Sequence, residues 1–395
     1  MAAPVLIYLY YANSYGHIRI AFRLAAALKR EAKGTDVVVV NTGPPITAFQ
    51  APSGVELLQL PALVPAQGQF LGARPARLDL PLREVFALRR QLLCTLVDEL
   101  RPSAVVTEFF PFGRSQLRPE LLPWLAHLGR HHPRCRLISS TREIIGKPPP
   151  RDPAARRRQQ RRINRQLATH FDQILIHGDP DFIPFDFPLT AANRAKVLFT
   201  GYLAEPAPHG RTAPAAASGK RVLVTAGGGM DGGRLMRAAI AAAQLLNRRR
   251  RRWQLHLVSG DYLADREQQR LAAAAARTRG VELSRFIADV PARLAASDLV
   301  VTMAGYNACV EALAHELPMV LVPRQHEPEQ QIRARHLAAR GLAEPLAPGR
   351  LTPARLAGAM ERALAGPGGA ERPRLDGLVT AARAILGVKR RGGAP

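Results

Sequence analysis

Strand-length apolar runs alternate with longer stretches of helical period along nearly the whole chain, and this alternation admits few arrangements other than parallel sheets covered by helices. A parallel strand is buried on both faces, so it reads as a continuous hydrophobic run. Such runs occupy residues 5–10, 36–41, 55–60, 104–110, 136–140 and 173–177. Between them lie helical segments such as residues 17–30, with Ile20, Leu24 and Leu28 on one stripe, and residues 82–100. The pattern breaks after Gly201 at a stretch rich in Pro, Ala and Gly, which reads as a linker. It then restarts, with strands expected at 221–226, 253–259, 298–303 and 318–323 and helices at 234–247, 265–279, 306–316, 328–340 and 352–365. The 395 residues thus read as an α/β chain of two doubly wound halves. Their expected limits are 1–204 and 220–388, joined by a linker over 205–219, with a last helix at 375–386 closing the second half.

Composition narrows the function classes. Hydrophobic residues make up 47% and charged residues 22%, as in a globular protein, and no apolar run reaches the roughly 20 residues that a membrane-spanning helix needs. Three scattered cysteines, Cys94, Cys135 and Cys309, cannot close a disulfide framework, which fits a reducing cytoplasm. The apolar start lacks a basic leader, so it reads as a first buried strand. Lys and Arg outnumber Asp and Glu by 56 to 31, a formal net charge of +25, with dense arginine runs at 151–165 and 248–252. Such a chain attracts phosphorylated substrates, anionic lipid surfaces or nucleic acid, or simply carries a solvated basic face.

Three motifs fall where ligands bind in open α/β sheets, outside the carboxyl ends of strands. Asn13, Gly16 and His17 belong to the turn after the first run, with His17 at a helix N-terminus that favours anions and keeps an imidazole neutral. Gly227, Gly228 and Gly229 follow the strand at 221–226, and their amides can cradle phosphate oxygens. It is neither a dinucleotide fingerprint nor a P-loop. In the segment 297–341, Gly305 and Tyr306 form a second glycine turn, Glu311 can accept hydrogen bonds from vicinal hydroxyls, and Gln330 and Gln331 offer amides to sugar hydroxyls. Glu108, near the carboxyl end of the fourth run, is a further acid–base candidate. The histidines lack ligand spacing, so no metal cluster is expected.

That segment resembles the C-terminal nucleotide-sugar domain of family 28 glycosyltransferases, which includes the N-acetylglucosaminyltransferase of the lipid-linked peptidoglycan precursor. The likeness is carried by Gly305, Glu311, Val322-Pro323, Gln325-His326 and Gln330-Gln331. The stretches Glu108 to Arg114, His177 to Pro180 and Gly227 to Gly232 resemble a sparsely characterised bacterial branch of glycosyltransferases. The resemblance implies two Rossmann-like domains facing a cleft, the GT-B architecture. Glu311 would then bind the donor ribose, Gln330 and Gln331 the sugar or its diphosphate, and Gly16 and His17 would stand near the acceptor.

The expected activity is an inverting, metal-independent transfer from a nucleotide-sugar, UDP-linked, to a hydroxyl acceptor whose identity the sequence leaves open, a lipid-linked one at the inner face of a membrane being one candidate. The base is His17 or Glu108, and no cofactor is needed, the nucleotide-sugar being a substrate. Two alternatives stand beside it: a related nucleotide-sugar hydrolase in which His17 activates water, and a non-enzymatic binder of nucleic acid or anionic surfaces using the arginine runs.

Overall fold

The computed structural model describes residues 3–11, 15–47, 49–66, 69–145, 152–207, 219–248, 252–287, 289–366 and 371–388. The described residues form two compact units, the first built from 3–145, 152–203 and 376–388, the second from 204–375.

In the first unit, β1 (Val5–Leu9), α1 (Gly16–Glu31), β2 (Val37–Asn41) and β3 (Val55–Gln59) precede a hairpin of β4 (Leu63–Ala66) and β5 (Gln69–Pro75). The chain continues through α2 (Leu82–Leu100), β6 (Ala104–Glu108), α3 (Arg118–His131), β7 (Arg136–Arg142), α4 (Pro153–His170), β8 (Gln173–His177), α5 (Ala191–Arg194) and β9 (Val197–Phe199). Seven strands make one parallel sheet in the order β3-β2-β1-β6-β7-β8-β9. Strands β1, β2 and β6 are buried along their whole length, which is why each reads as an unbroken apolar run.

The second unit runs through β10 (Lys220–Thr225), α6 (Gly233–Arg248), β11 (Trp253–Val258), α7 (Asp265–Ala276), β12 (Val281–Ser284), α8 (Val290–Ala295) and β13 (Leu299–Thr302). It ends with α9 (Tyr306–Ala314), β14 (Met319–Leu321), α10 (Pro328–Ala339), β15 (Ala343–Pro345) and α11 (Pro353–Ala365). Its six-stranded sheet is also parallel, ordered β12-β11-β10-β13-β14-β15.

Three points differ from or add to the expectations. The last helix, α12 (Gly377–Leu386), does not close the second half but belongs to the first unit, packed on α1. Gly377 makes this return possible, because a Cβ there would lie 2.5 Å from the carbonyl oxygens of Gly201 and Tyr202. Arg136 then caps the helix, its Nη1 donating to the carbonyls of Ala384 at 2.7 Å and Ile385 at 3.2 Å. Second, much of the arginine run is the helix α4. Asp152 caps it by accepting from the amides of Ala154 and Ala155 at 2.9 and 3.0 Å, Pro153 opens it, and Ile163 and Leu167 turn inward. Third, β6 stops at Glu108 instead of reaching Phe110, because Phe109 takes a left-handed φ of 65° and turns the chain away.

One buried ion pair pins the first unit together. Arg89 of α2 and Glu120 of α3 are fully buried, joined by Nε to Oε2 at 2.5 Å and Nη2 to Oε1 at 2.7 Å. Tyr8 of β1 donates its hydroxyl to the same carboxylate, and Arg89 also reaches the Thr42 carbonyl at 3.1 Å. Removing one partner would strand the other charge without water. Arg89→Ala should therefore cost about 3–5 kcal/mol, while an Arg89→Met, Glu120→Leu double variant should recover much of it. Denaturant unfolding of the three proteins, followed on the transition of the first unit, checks this ordering.

Candidate functional site

Each sheet has one place where the strand order reverses. In the first unit β1 pairs with β2 on one side and β6 on the other, and in the second β10 pairs with β11 and β13. Helices leaving two adjacent strands there depart to opposite faces, so a crevice opens at the carboxyl ends.

In the first unit that crevice lies between the ends of β1 and β6. Gly16 opens α1, His17 follows it, and Glu108 is the last residue of β6. His17 Nδ1 lies 2.5 Å from Glu108 Oε1. A carboxylate only accepts, so Nδ1 holds the proton and Nε2 keeps its lone pair. His17 and Glu108 are thus partners in one hydrogen bond, where the sequence left them as alternative bases. Asn13 lies outside the described residues.

Two arginines complete the group. Arg114 places Nη2 3.7 Å from Glu108 Oε2 and its guanidinium 5.1 Å from the centre of the Tyr10 ring. Arg142, the last residue of β7, brings Nη2 to 3.5 Å from His17 Nδ1. Burial alone would raise the Glu108 carboxyl, but His17, Arg114 and Arg142 outweigh it and hold the group at about 2. For His17, burial and then the two arginines outweigh the attraction of Glu108, so the imidazole titrates below its ordinary value. Glu108 is therefore too weak a base to take a proton near neutrality, and it orients and polarises His17 instead. Arg142 was not visible as a site residue, because 125 positions separate it from His17. Its only local signal is its place at a strand end.

The neighbouring motif at His177 serves packing. His177 is buried and hydrogen-bonded to Ser140 Oγ at 2.7 Å and Thr200 Oγ1 at 3.0 Å, and burial pushes it down to about 3. A Cβ on Gly178 would meet that of Glu143 at 2.6 Å, so glycine is required there for closeness.

In the second unit the crevice lies between β10 and β13, and both glycine turns sit on it. Gly227 and Gly229 have φ of 63° and 93°, and a Cβ at Gly229 would lie 2.2 Å from the Ser259 carbonyl oxygen. The three amides are not all offered to a ligand, as the sequence suggested. Gly227 donates to Thr225 Oγ1 at 3.3 Å and Gly229 to the Ala226 carbonyl at 3.3 Å, which leaves Gly228 as the turn's amide with no acceptor among the described residues. Gly305 caps α9, and no atom lies within 4 Å of where its Cβ would be, so a ligand can approach the first-turn amides. Tyr306 contributes only its backbone to that approach. Its ring is buried beneath the Arg333 guanidinium, 5.5 Å away.

Glu311 lies in the second turn of α9, half-buried, and its charge is felt by His315. Gln330 and Gln331, expected to meet donor hydroxyls, spend half of each amide on the loop after β14. Gln330 Oε1 accepts from the Arg324 amide at 2.9 Å, and Gln331 Nε2 donates to the carbonyls of Arg324 at 3.1 Å and Gln325 at 2.7 Å. The loop so braced holds Arg324, whose Nε lies 3.5 Å from Asp231 in the turn after β10. Sequence reasoning missed this cation, which stands beside the first glycine turn.

The electrostatic reading of His17 has a direct check. Histidine NMR should find its titration midpoint below the ordinary 6.5. Since a neighbouring cation disfavours the imidazolium, Arg142→Gln should move that midpoint upward. A midpoint unmoved by the substitution would remove Arg142 from the group.

Comparison with known proteins agrees with this geometry. Residues 221–372 match the glycosyltransferase family 28 C-terminal domain. No curated protein sequence matches the chain. Among solved structures, the calicheamicin glycosyltransferase CalG4 superposes with a TM-score of 0.59 at 18% identity, covering 98% of this chain and 95% of its own. MurG of Acinetobacter baumannii gives 0.55 at 17%, covering 96% and 95%. A structure from Listeria monocytogenes, described as a UDP-N-acetylglucosamine 2-epimerase, gives 0.60 at 13%, covering 99% and 98%. At such identities the likeness establishes the fold, two Rossmann-like units of GT-B type, while the matched domain in the second unit carries the activity class. The second unit thus carries a family 28 glycosyltransferase C-terminal domain, within a chain of GT-B fold.

Proposed function

We propose that the chain performs an inverting, metal-independent transfer of a sugar from a UDP-linked donor to a hydroxyl acceptor. The observation that carries the reading is the oriented His17–Glu108 pair at the strand-order reversal of the first unit. His17 Nε2 takes the proton of the acceptor hydroxyl as its oxygen attacks the anomeric carbon, and Glu108 stabilises the imidazolium that forms. The bond from that carbon to the diphosphate breaks, and its electron pair leaves with the nucleotide. The amides of Gly228 and of the first turn of α9, together with Arg324, meet the charge developing there, a task a divalent cation would otherwise perform. Glu311 takes the ribose hydroxyls, and the unused halves of Gln330 and Gln331 take the sugar.

His17→Ala should lower turnover by about 10²–10⁴-fold with donor affinity kept. Glu311→Ala should instead weaken donor binding, and an unchanged affinity would remove that assignment. The same pair would serve to activate water, so product analysis without acceptor separates the two chemistries: rapid donor hydrolysis by the wild type would turn the reading into the hydrolase.

A lipid-linked acceptor at an anionic membrane is the further part of this reading. Among the described residues no helix is long and apolar enough to cross a membrane. The exposed face of α4 carries Arg156, Arg157, Arg158, Arg161 and Arg165, a stripe suited to anionic headgroups. Sedimentation with phosphatidylserine vesicles should fall sharply when Arg157, Arg158 and Arg161 are changed to glutamate. Equal sedimentation would leave the stripe a solvated face, and tight salt-sensitive binding to RNA or DNA would point to nucleic acid instead.

A further inference from the structure

Away from the candidate site, two imidazoles and a carboxylate converge between α2 and α3. His127 Nε2 and His132 Nε2 each lie 2.7 Å from the same oxygen, Oδ1 of Asp98. The three ligand atoms are all within 4.8 Å of one another. The side chains are 22%, 15% and 47% exposed for His127, His132 and Asp98, so a solvated ion can reach them. Their frame is fixed: α2 and α3 pack together, and the Trp124 indole of α3 donates to the Leu93 carbonyl of α2 at 3.2 Å.

We infer that Asp98, His127 and His132 form a binding site for a divalent transition-metal ion of zinc type. A neutral imidazole can carry its proton on Nδ1, which leaves both Nε2 lone pairs and the carboxylate oxygen as three ligand atoms within 4.8 Å of one another. Tetrahedral zinc with bonds of about 2.0–2.1 Å sets its ligand atoms about 3.3 Å apart, so each imidazole nitrogen and the Asp98 oxygen, now 2.7 Å apart, must separate by about 0.6 Å. Three protein ligands leave a fourth position for water. Two imidazoles with one carboxylate favour zinc, nickel or cobalt over magnesium or calcium, which prefer all-oxygen shells.

The ion would be a clamp and not part of the transfer chemistry. Asp98 precedes β6 by a few residues and His132 precedes β7, so the cluster lies at the amino ends of the strands. His17 and Glu108 lie at the opposite, carboxyl edge of that sheet. A bound metal would tie the last turn of α2 to the end of α3, the two helices that also share the Arg89–Glu120 pair.

The test is calorimetric titration of ZnCl₂ into the chelator-treated full-length chain, with His127→Ala, His132→Ala and Asp98→Asn variants beside it. A one-to-one isotherm is expected. Each substitution should weaken it by at least the roughly 10–100-fold that loss of an outer-shell partner costs at a metal site. Zinc should raise the unfolding midpoint of the wild type and not of the His127→Ala, His132→Ala double variant, whose circular dichroism confirms that it folds. CoCl₂ should give visible d–d bands lost in that double variant, and MgCl₂ should give no heat. Absence of zinc binding by the wild type, or an isotherm unchanged in the double variant, would show a hydrogen-bonded cluster only and overturn the site.

Discussion

The geometry of a purely parallel sheet governs everything at the candidate site. Each strand must return through a helix, so all carboxyl ends lie along one edge, and wherever the strand order reverses the covering helices part. This chain meets that condition twice, between β1 and β6 and between β10 and β13. The residues able to do chemistry gather at those two reversals: His17 and Glu108 at the first, and the turns at Gly227–Gly229 and Gly305 at the second.

The two buried carboxylates of the first unit show how surroundings divide one chemical group into two roles. Glu120 is matched by a bidentate guanidinium and a tyrosine hydroxyl, a closed arrangement that fixes α2, α3 and β1. Glu108 is met by an imidazole and by arginines at longer range, and its second oxygen makes no hydrogen bond among the described residues. A carboxylate held by longer-range charges can still adjust as a neighbouring imidazole gains a proton.

Much of the fold was legible because burial on both faces writes strands as apolar runs. Strand β8 and helix α2 match their sequence limits residue for residue, and most other elements differ by one to three residues. What escaped has physical reasons. In α4 arginine occupies most exposed positions, so the apolar stripe shrinks to residues such as Ile163 and Leu167, although Asp152-Pro153 was a readable start. Strands β12 and β15 are short edges with half-exposed side chains and little hydrophobic signal. At the site, single residues at strand ends and glycine turns could be found locally. The convergence of Arg142 on His17, of Arg324 on Asp231, and of Asp98 on two histidines across about thirty positions depends on tertiary packing, which leaves no periodic trace.

The return of α12 to the first unit changes the topology of the whole chain. Leu203 and Asp376 are bridged as antiparallel neighbours, and the Gly377 amide donates to the Tyr202 carbonyl at 3.0 Å. The points where the backbone leaves the first unit and re-enters it are therefore adjacent. Residues 204–375 are thus an insertion whose two ends meet, and a short turn from Leu203 to Asp376 would rejoin the first unit. Such a segment can be exchanged whole, as a cassette, leaving the surrounding backbone path unaltered.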